Sequence, residues 1–498
     1  MTTPDWVQDA IFYQIFPDRF AKSTRNPNSD LPFEAWDSPP TIHGFKGGDL
    51  YGVAEHLDYL KDLGITALYL NPIFASASNH RYHTFDFYNV DPILGGNNAL
   101  RFLLDEAHQR DMRVILDGVF NHASRGFWQF HHVLENGISS PYIDWFYFDP
   151  ARLHGRRRWG AYPGTGELKA LQSGEDSLLA IGYRGWWNLP ALPKFNTNTP
   201  AVRKFIFEVG QYWIKFGIDG WRLDVPGEID DDSFWQEFRY RVRQANPQAY
   251  IVGEIWHEAQ RWLQGDQFDA VMNYLITAAA LGFCAGQHLD INIVQQAGGL
   301  KDRIHRYIDA NGFANEVERI MNLYRPEITR SQLNLLDSHD MPRFLSCAGG
   351  DKNSLKLAWL FIMTISGAPC IYYGDEIGVD GGHDPDCRKS FPWDESKWDK
   401  DLLGYAKAVI ALRKNNAAFQ RGEYKRLYTV DGVYCYSRTY ENHTFIVGLN
   451  ASESPHQVEV QYEAEKSPKV VFGEASDVSP EGGRLRFTLP ARSGVVLK

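Results

Sequence analysis

Cysteine is scarce in this chain. The 498 residues contain five, at Cys284, Cys347, Cys370, Cys387 and Cys435, odd in number and never spaced as CxxC. Neither a disulfide framework nor a zinc site follows from such a pattern. Positive charge is short as well: a net charge of -11 provides no clustered Lys/Arg field for phosphate backbones or anionic lipids, which argues against nucleic acid and membrane surfaces as partners. No stretch reaches the roughly 18 uninterrupted apolar residues of a membrane span. The N-terminus, MTTPDWVQDAIFYQ, lacks a basic segment followed by an apolar one. The expectation is a soluble, cytoplasmic protein.

What the sequence has in quantity is aromatic side chains, 15 Trp, 25 Tyr and 30 Phe, enough for a large core and also for flat surfaces on which sugars stack. Short β-rich runs recur, each closing on polar or charged residues: 10–20, 65–74, 112–122, 218–225, 249–256, 268–275, 332–340 and 369–376. Between them lie stretches such as VAEHLDYLKDLG and NALRFLLDEAHQRD, with apolar residues at i, i+3 and i+4. This alternation predicts an α/β fold, a (β/α)8 TIM barrel over residues 1–122 and 188–417. Residues 123–187 make too long a connection for a loop and predict an inserted B domain, rich in aromatics, Arg and Gly (GRRRWGAYPGTG). From 418 to 498, short alternating runs predict a C-terminal antiparallel β-sandwich.

In the stretch FGIDGWRLDVPGEID, Arg222 and Asp224 interrupt an apolar run two residues apart. On a strand they share one face, with Trp221, Leu223 and Val225 on the other. Buried charges at such a place are paired or functional. Barrel strands end at the functional mouth, which gathers Asp117, Asn121, His122, Arg222, Asp224, Glu254, His339 and Asp340. Three carboxylates, Asp224, Glu254 and Asp340, stand at strand ends, and glycosidic bond cleavage requires two: one to attack the anomeric carbon and one acid to protonate the leaving oxygen. Arg222 beside Asp224 favours its ionised form, and apolar neighbours of Glu254 favour its acid form.

The segments DGVFNH (117–122), GWRLD (220–224), GEIW (253–256) and LLDSHD (335–340), in this order, resemble the four sequence regions of the α-amylase superfamily of glycoside hydrolases. LPKFN (192–196) is similar to the MPKLN signature of its neopullulanase, cyclomaltodextrinase and maltogenic amylase group. The resemblance implies Asp224 as nucleophile, Glu254 as general acid/base and Asp340 as the carboxylate that holds and distorts the sugar. It implies further that Tyr82 stacks under that sugar, that His122 and His339 bind its hydroxyls, and that Arg222 orients Asp224. Asp384 and Arg388, in GGHDPDCR, would bind the next sugar, while Glu228 and Trp256 would lie toward the leaving group. The implied activity is retaining hydrolysis of α-1,4 and/or α-1,6 linkages of maltodextrins, cyclodextrins, pullulan or branched glucans, with debranching and transglycosylation included. Two alternatives stay open: a glucosyl transferase or isomerase on the same scaffold, and a catalytically inactive glucan-binding barrel.

His83 and Gly227 depart from the group's pattern, at an acidic and an Asn position respectively. No cofactor is required for this chemistry. The loop NPNSD (26–30), with Gly48 and Asp49, offers oxygens that suit a structural calcium ion; Lys22, where relatives often carry Asn, favours a plain polar turn equally. Most of the group begins with a separate β domain of over a hundred residues, whereas here the first barrel run starts about ten residues from Met1. The expectation is either an open groove or closure by a partner subunit, as in a homodimer.

Overall fold

The computed structural model describes residues 3–153, 159–304, 307–462 and 468–498. Arg156–Arg158 of the arginine-rich run lies outside the described residues. Eight parallel strands form one sheet: β1 (Phe12–Ile15), β2 (Ala67–Leu70), β3 (Arg113–Gly118), β4 (Gly220–Leu223), β5 (Tyr250–Gly253), β6 (Ala270–Val271), β7 (Leu333–Leu335) and β8 (Ala368–Tyr372). Seven fall inside the expected runs, and β8 begins one residue before its run at 369–376. Neighbours in sequence are neighbours in space, β8 pairs with β1, and a parallel bridge between Met272 and Leu333 joins β6 to β7 and closes the ring. Apart from Arg113 every strand residue is buried, because the sheet is covered on both faces.

The helices follow from their ends and their apolar stripes. Helix Pro200–Phe216 starts with Pro in its first turn and stops at Gly217, whose φ of 124° relieves a backbone turn that a side chain would strain. It buries Val202, Ile206, Val209 and Trp213, and Trp213 Nε1 donates to Phe87 O at 2.8 Å. Trp221 on β4 faces outward, as the alternation requires, and donates to Gly210 O of this helix at 3.1 Å. Arg222 thereby points inward. Among the described residues, no helix is long and apolar enough to cross a membrane.

Between β3 and helix Pro200–Phe216 the chain folds on itself through antiparallel bridges His122–Lys194, Phe146–Phe195, Phe148–Tyr183 and Gly185–Pro193. Its rings are largely core: Phe127, Phe130, Phe146 and Phe195 are buried against one another. After helix Ala417–Arg421 the described residues form eight strands, β9 (Glu423–Val430), β10 (Val433–Tyr440), β11 (His443–Asn450), β12 (His456–Gln461), β13 (Val470–Gly473), β14 (Ser476–Glu481), β15 (Arg484–Leu489) and β16 (Ser493–Leu497). They build a five-stranded sheet, β9-β10-β11-β16-β13, and a three-stranded one, β12-β15-β14. Val433, Cys435 and Ile446 of the first pack with Val458, Val460, Leu485 and Phe487 of the second, which makes a sandwich. All five cysteines are buried free thiols.

Candidate active site

Strand register assembles the mouth. Asp117 on β3 is paired in register with Arg222 on β4, so two charges distant in sequence meet side by side. Arg222 Nη1 donates to Asp117 Oδ1 at 2.9 Å and Oδ2 at 3.1 Å, and to Asp224 Oδ1 at 3.1 Å. Its Nη2 lies 3.0 Å from Glu254 Oε2, outside hydrogen-bond alignment, and its Nε donates to Met272 Sδ at 3.4 Å. One buried cation thus touches three buried carboxyls.

Asp224 follows the last residue of β4, and the chain then turns through Val225 at φ 35°, a left-handed conformation that a β-branched residue rarely takes. That turn aims Val225 N–H at Glu254 Oε2, 3.0 Å away. Glu254 Oε1 accepts from Trp256 Nε1 at 3.1 Å. Asp224 Oδ2, by contrast, is buried without a hydrogen-bond partner. A buried carboxylate oxygen with its lone pairs unspent is what an attacking group needs.

Burial pushes both Asp224 and Glu254 above the ordinary carboxylate range; the charge of Glu254 adds to the rise of Asp224 and that of Asp340 to the rise of Glu254, with Arg222 opposing both. The two behave as a pair that keeps one proton where a lone carboxyl would have lost it. The donors on Glu254 and the bare Oδ2 favour the proton on Asp224. Hydrolysis needs the other tautomer, which Arg222 supports by its bond to Asp224 Oδ1.

Tyr82 and His339 stand face to face, rings 4° from parallel with centroids 5.5 Å apart. The amides of Gln14 (2.9 Å) and Asn71 (3.1 Å) donate to His339 Nδ1, so Nε2 carries the proton and reaches Tyr82 Oη at 2.6 Å and Asp340 Oδ2 at 3.0 Å. Tyr82 O–H donates in turn to Asp117 Oδ2 at 2.9 Å, which Tyr69 also reaches at 2.9 Å. His122 Nε2 faces Tyr82 O at 3.3 Å, and its ring lies on Trp186, centroids 4.8 Å apart and 7° from parallel. Burial lowers the pKa of His122 to about 3 and that of His339 well below the usual histidine value. Both rings are neutral donors and acceptors.

Arg388 ties the last strand ends together. Its Nε donates to His339 O at 2.8 Å, Nη2 to Asp340 Oδ1 at 3.2 Å, and Nη1 pairs with Asp384 Oδ1 at 3.0 Å. Two expected residues sit apart from this network. Glu228 is exposed and held by Lys194, whose ammonium donates to its backbone carbonyl at 2.8 Å and to Oε2 at 3.4 Å. Trp256 lies against Tyr274 at 3.6 Å, 7° from parallel, so its contact with the site runs through Glu254.

Sequence reasoning set Asp117 at the mouth without a role, and it missed Gln14, Tyr69, Asn71 and Trp186. Asp117 had a signal: it closes an apolar run at the same height as Arg222. Of the departures, His83 is pushed down to about 4 by burial and stays neutral. The 26–30 loop and Asp49 are held by local hydrogen bonds. Asn26 Oδ1 accepts from Asn28 N, and both oxygens of Asp49 accept from Ser23 and Gly52 backbone N–H groups. The Lys22 ammonium sits nearby over the Phe33 and Trp36 rings. Among the described residues no group of three or more His, Cys, Asp or Glu gathers to hold a metal.

Residues 14–421 match the family described as alpha amylase, catalytic domain, and residues 422–497 the alpha-amylase C-terminal domain. A cyclomaltodextrinase of Geobacillus thermopakistaniensis is 41% identical over 93% of this chain and 72% of its own length. Among solved structures, a Nostoc punctiforme debranching enzyme is 45% identical with a TM-score of 0.89, covering 100% of this chain and 99% of its own. A cyclic α-maltosyl-(1→6)-maltose hydrolase of Arthrobacter globiformis is 33% identical with a TM-score of 0.84, covering 100% of both chains. With a barrel, a carboxyl triad and a sandwich of this kind, the chain belongs to the α-amylase family of glycoside hydrolases.

Proposed function

We propose that this protein hydrolyses α-glucans with retention of configuration, acting on both α-1,4 and α-1,6 linkages. The observation that carries the reading is the free Oδ2 of Asp224 beside the fully hydrogen-bonded Glu254, with Arg222 between them. Asp224 attacks the anomeric carbon while Glu254 gives its proton to the leaving oxygen. A covalent glycosyl ester forms on Asp224; Glu254, now ionised, takes a proton from water, and the resulting hydroxide equivalent opens the ester. Two inversions return the original anomer. Asp340, anchored by Arg388 and His339, binds the sugar hydroxyls and favours its flattening toward the oxocarbenium ion.

Action on the α-1,6 bond is supported by the two structural relatives described as a debranching enzyme and a cyclic α-maltosyl-(1→6)-maltose hydrolase. A reducing, cytoplasmic setting suits five buried thiols with no disulfide. The test is reducing-end release from maltodextrin, pullulan and a branched glucan, with an NMR time course of the first anomer. The expected first product is the α-anomer. Asp224→Asn and Glu254→Gln should each lower kcat by at least about a thousandfold with the circular dichroism spectrum unchanged. Initial β-anomer, or near-normal activity in either variant, overturns the mechanism.

A further inference from the structure

Trp187 is 75% exposed, an unusual place for the largest apolar side chain, and it is not isolated. Its ring lies on Trp186, centroids 4.5 Å apart and 16° from parallel. Trp186 in turn lies on His122, at the strand end that faces Tyr82. The three rings make a ladder that starts at the barrel mouth and ends with one indole in solvent.

The backbone is forced to present it. Trp187 and Asn188 take φ of 52° and 58° in succession, a left-handed conformation that Asn tolerates and that is unfavourable for Trp. The surrounding bonds impose this turn. Asn188 Oδ1 accepts from Ser177 N at 3.0 Å, Ser177 Oγ accepts from Gly185 N at 2.9 Å, and Trp186 N donates to Leu192 O at 2.9 Å. Gly185 permits it, since a Cβ there would meet Leu189 O at 2.4 Å. Strain of this sort is retained where surrounding structure over-determines it, typically at a ligand clamp. Trp186 Nε1 is buried, and none of the described residues accepts from it.

We propose that Trp187 is a stacking platform for a glucosyl unit remote from the scissile bond, so that this loop sets a preference for longer α-glucan chains. The inference rests on the glucan-hydrolase reading of the site. A pyranose lays its apolar C–H face on the exposed indole, as flat rings do on aromatic side chains, while Trp186 and His122 fix the height of the platform. The ladder is preorganised, so little side-chain freedom is lost on binding.

The test separates binding from catalysis. Maltoheptaose and maltotriose are titrated calorimetrically into Asp224→Asn and into Asp224→Asn carrying Trp187→Ala. The expected result is that Trp187→Ala lowers the maltoheptaose-to-maltotriose affinity ratio about tenfold, and that Trp187→Phe restores most of it. In the active enzyme the same change should lower the ratio of kcat/KM for the two substrates similarly. An unchanged ratio in the binding experiment, or no measurable binding of maltoheptaose, overturns the platform. Should the unaltered protein bind maltoheptaose in this pattern and yet release no reducing ends, the hydrolase reading fails while the platform stands.

Discussion

Arg222 and Asp117 form a fully enclosed ion pair, with Nη1 2.9 Å and 3.1 Å from the two carboxyl oxygens and no exposed surface on either side chain. The pair turns Arg222 toward the mouth and leaves Asp224 only one of its bonds. Asp117 also accepts from Tyr69 and Tyr82, so it fixes the ring that faces His339.

Asp117→Asn should therefore act at a distance. An amide in place of the carboxyl sets N–H against a donor from Arg222, Tyr69 or Tyr82 and removes the charge that neutralises Arg222. Breaking a buried ion pair costs about 3–5 kcal/mol. Displacing Arg222 by an ångström costs about a hundredfold in rate. A fall in both kcat and denaturation midpoint is expected, and a variant with full activity would show that Asp117 does not position the site.

The origins of Asp117 and Trp186 mark what the sequence could and could not disclose. Apolar runs closing on polar or charged residues located all eight strands, since a sheet buried on both faces needs near-continuous apolar residues. Alternation placed Arg222 and Asp224 inward and Trp221 outward. What alternation leaves open is the neighbour across the strand gap: Asp117 pairs with Arg222 through register, and Gln14 meets His339 through closure of the ring. Trp186 comes from an irregular segment whose path is set by bridges to residues 193–195, a long-range matter with no periodic signature. Trp256 shows the reverse limit, because nothing local reveals that Tyr274 covers its ring.

Asp224 should lower stability at neutral pH. Its folded pKa is raised by burial and by Glu254, so the folded state holds the proton more tightly than the unfolded chain does. Stability from this group is complete below the unfolded value of about 3.9 and is lost as pH climbs from there through the raised folded value. Asp224→Asn removes that loss. Thermal unfolding should show the variant above the parent protein at pH 7, with the gap closing toward pH 4. A variant of lower midpoint at pH 7 would mean that the Arg222 bond outweighs desolvation.

His122 titrates in the opposite sense. Burial depresses its pKa to about 3, so the folded state refuses a proton that the unfolded chain accepts near pH 6.5. Its contribution is present above about pH 6.5 and is lost as pH falls toward 3. At pH 5 unfolding of the parent should take up about one more proton than unfolding of His122→Asn, as read from the pH slope of the unfolding free energy. In the folded protein the imidazole signals of His122 should stay constant between pH 8 and 5. A titration near 6.5 would contradict the enclosed, neutral ring.

Arg388 joins Asp340, Asp384 and the His339 backbone, and its planar fork supplies a separate N–H to each. A lysine carries one compact ammonium and can serve only one of the three well. Arg388→Lys should release both carboxylates from their set positions, and each charge-assisted bond lost is worth about 1.5–3 kcal/mol. Single changes divide the effect. If Asp384 binds the sugar beyond the reacting one, as the family resemblance implies, Asp384→Asn should raise KM with kcat little altered. Asp340→Asn should lower kcat if that carboxylate acts, as proposed, on the sugar undergoing reaction. Arg388→Lys should show both changes together, with kcat/KM down by about tenfold to a hundredfold. If Arg388→Lys changed KM alone, Asp340 would owe its orientation to His339 Nε2, and the guanidinium would matter only for holding the more distant sugar.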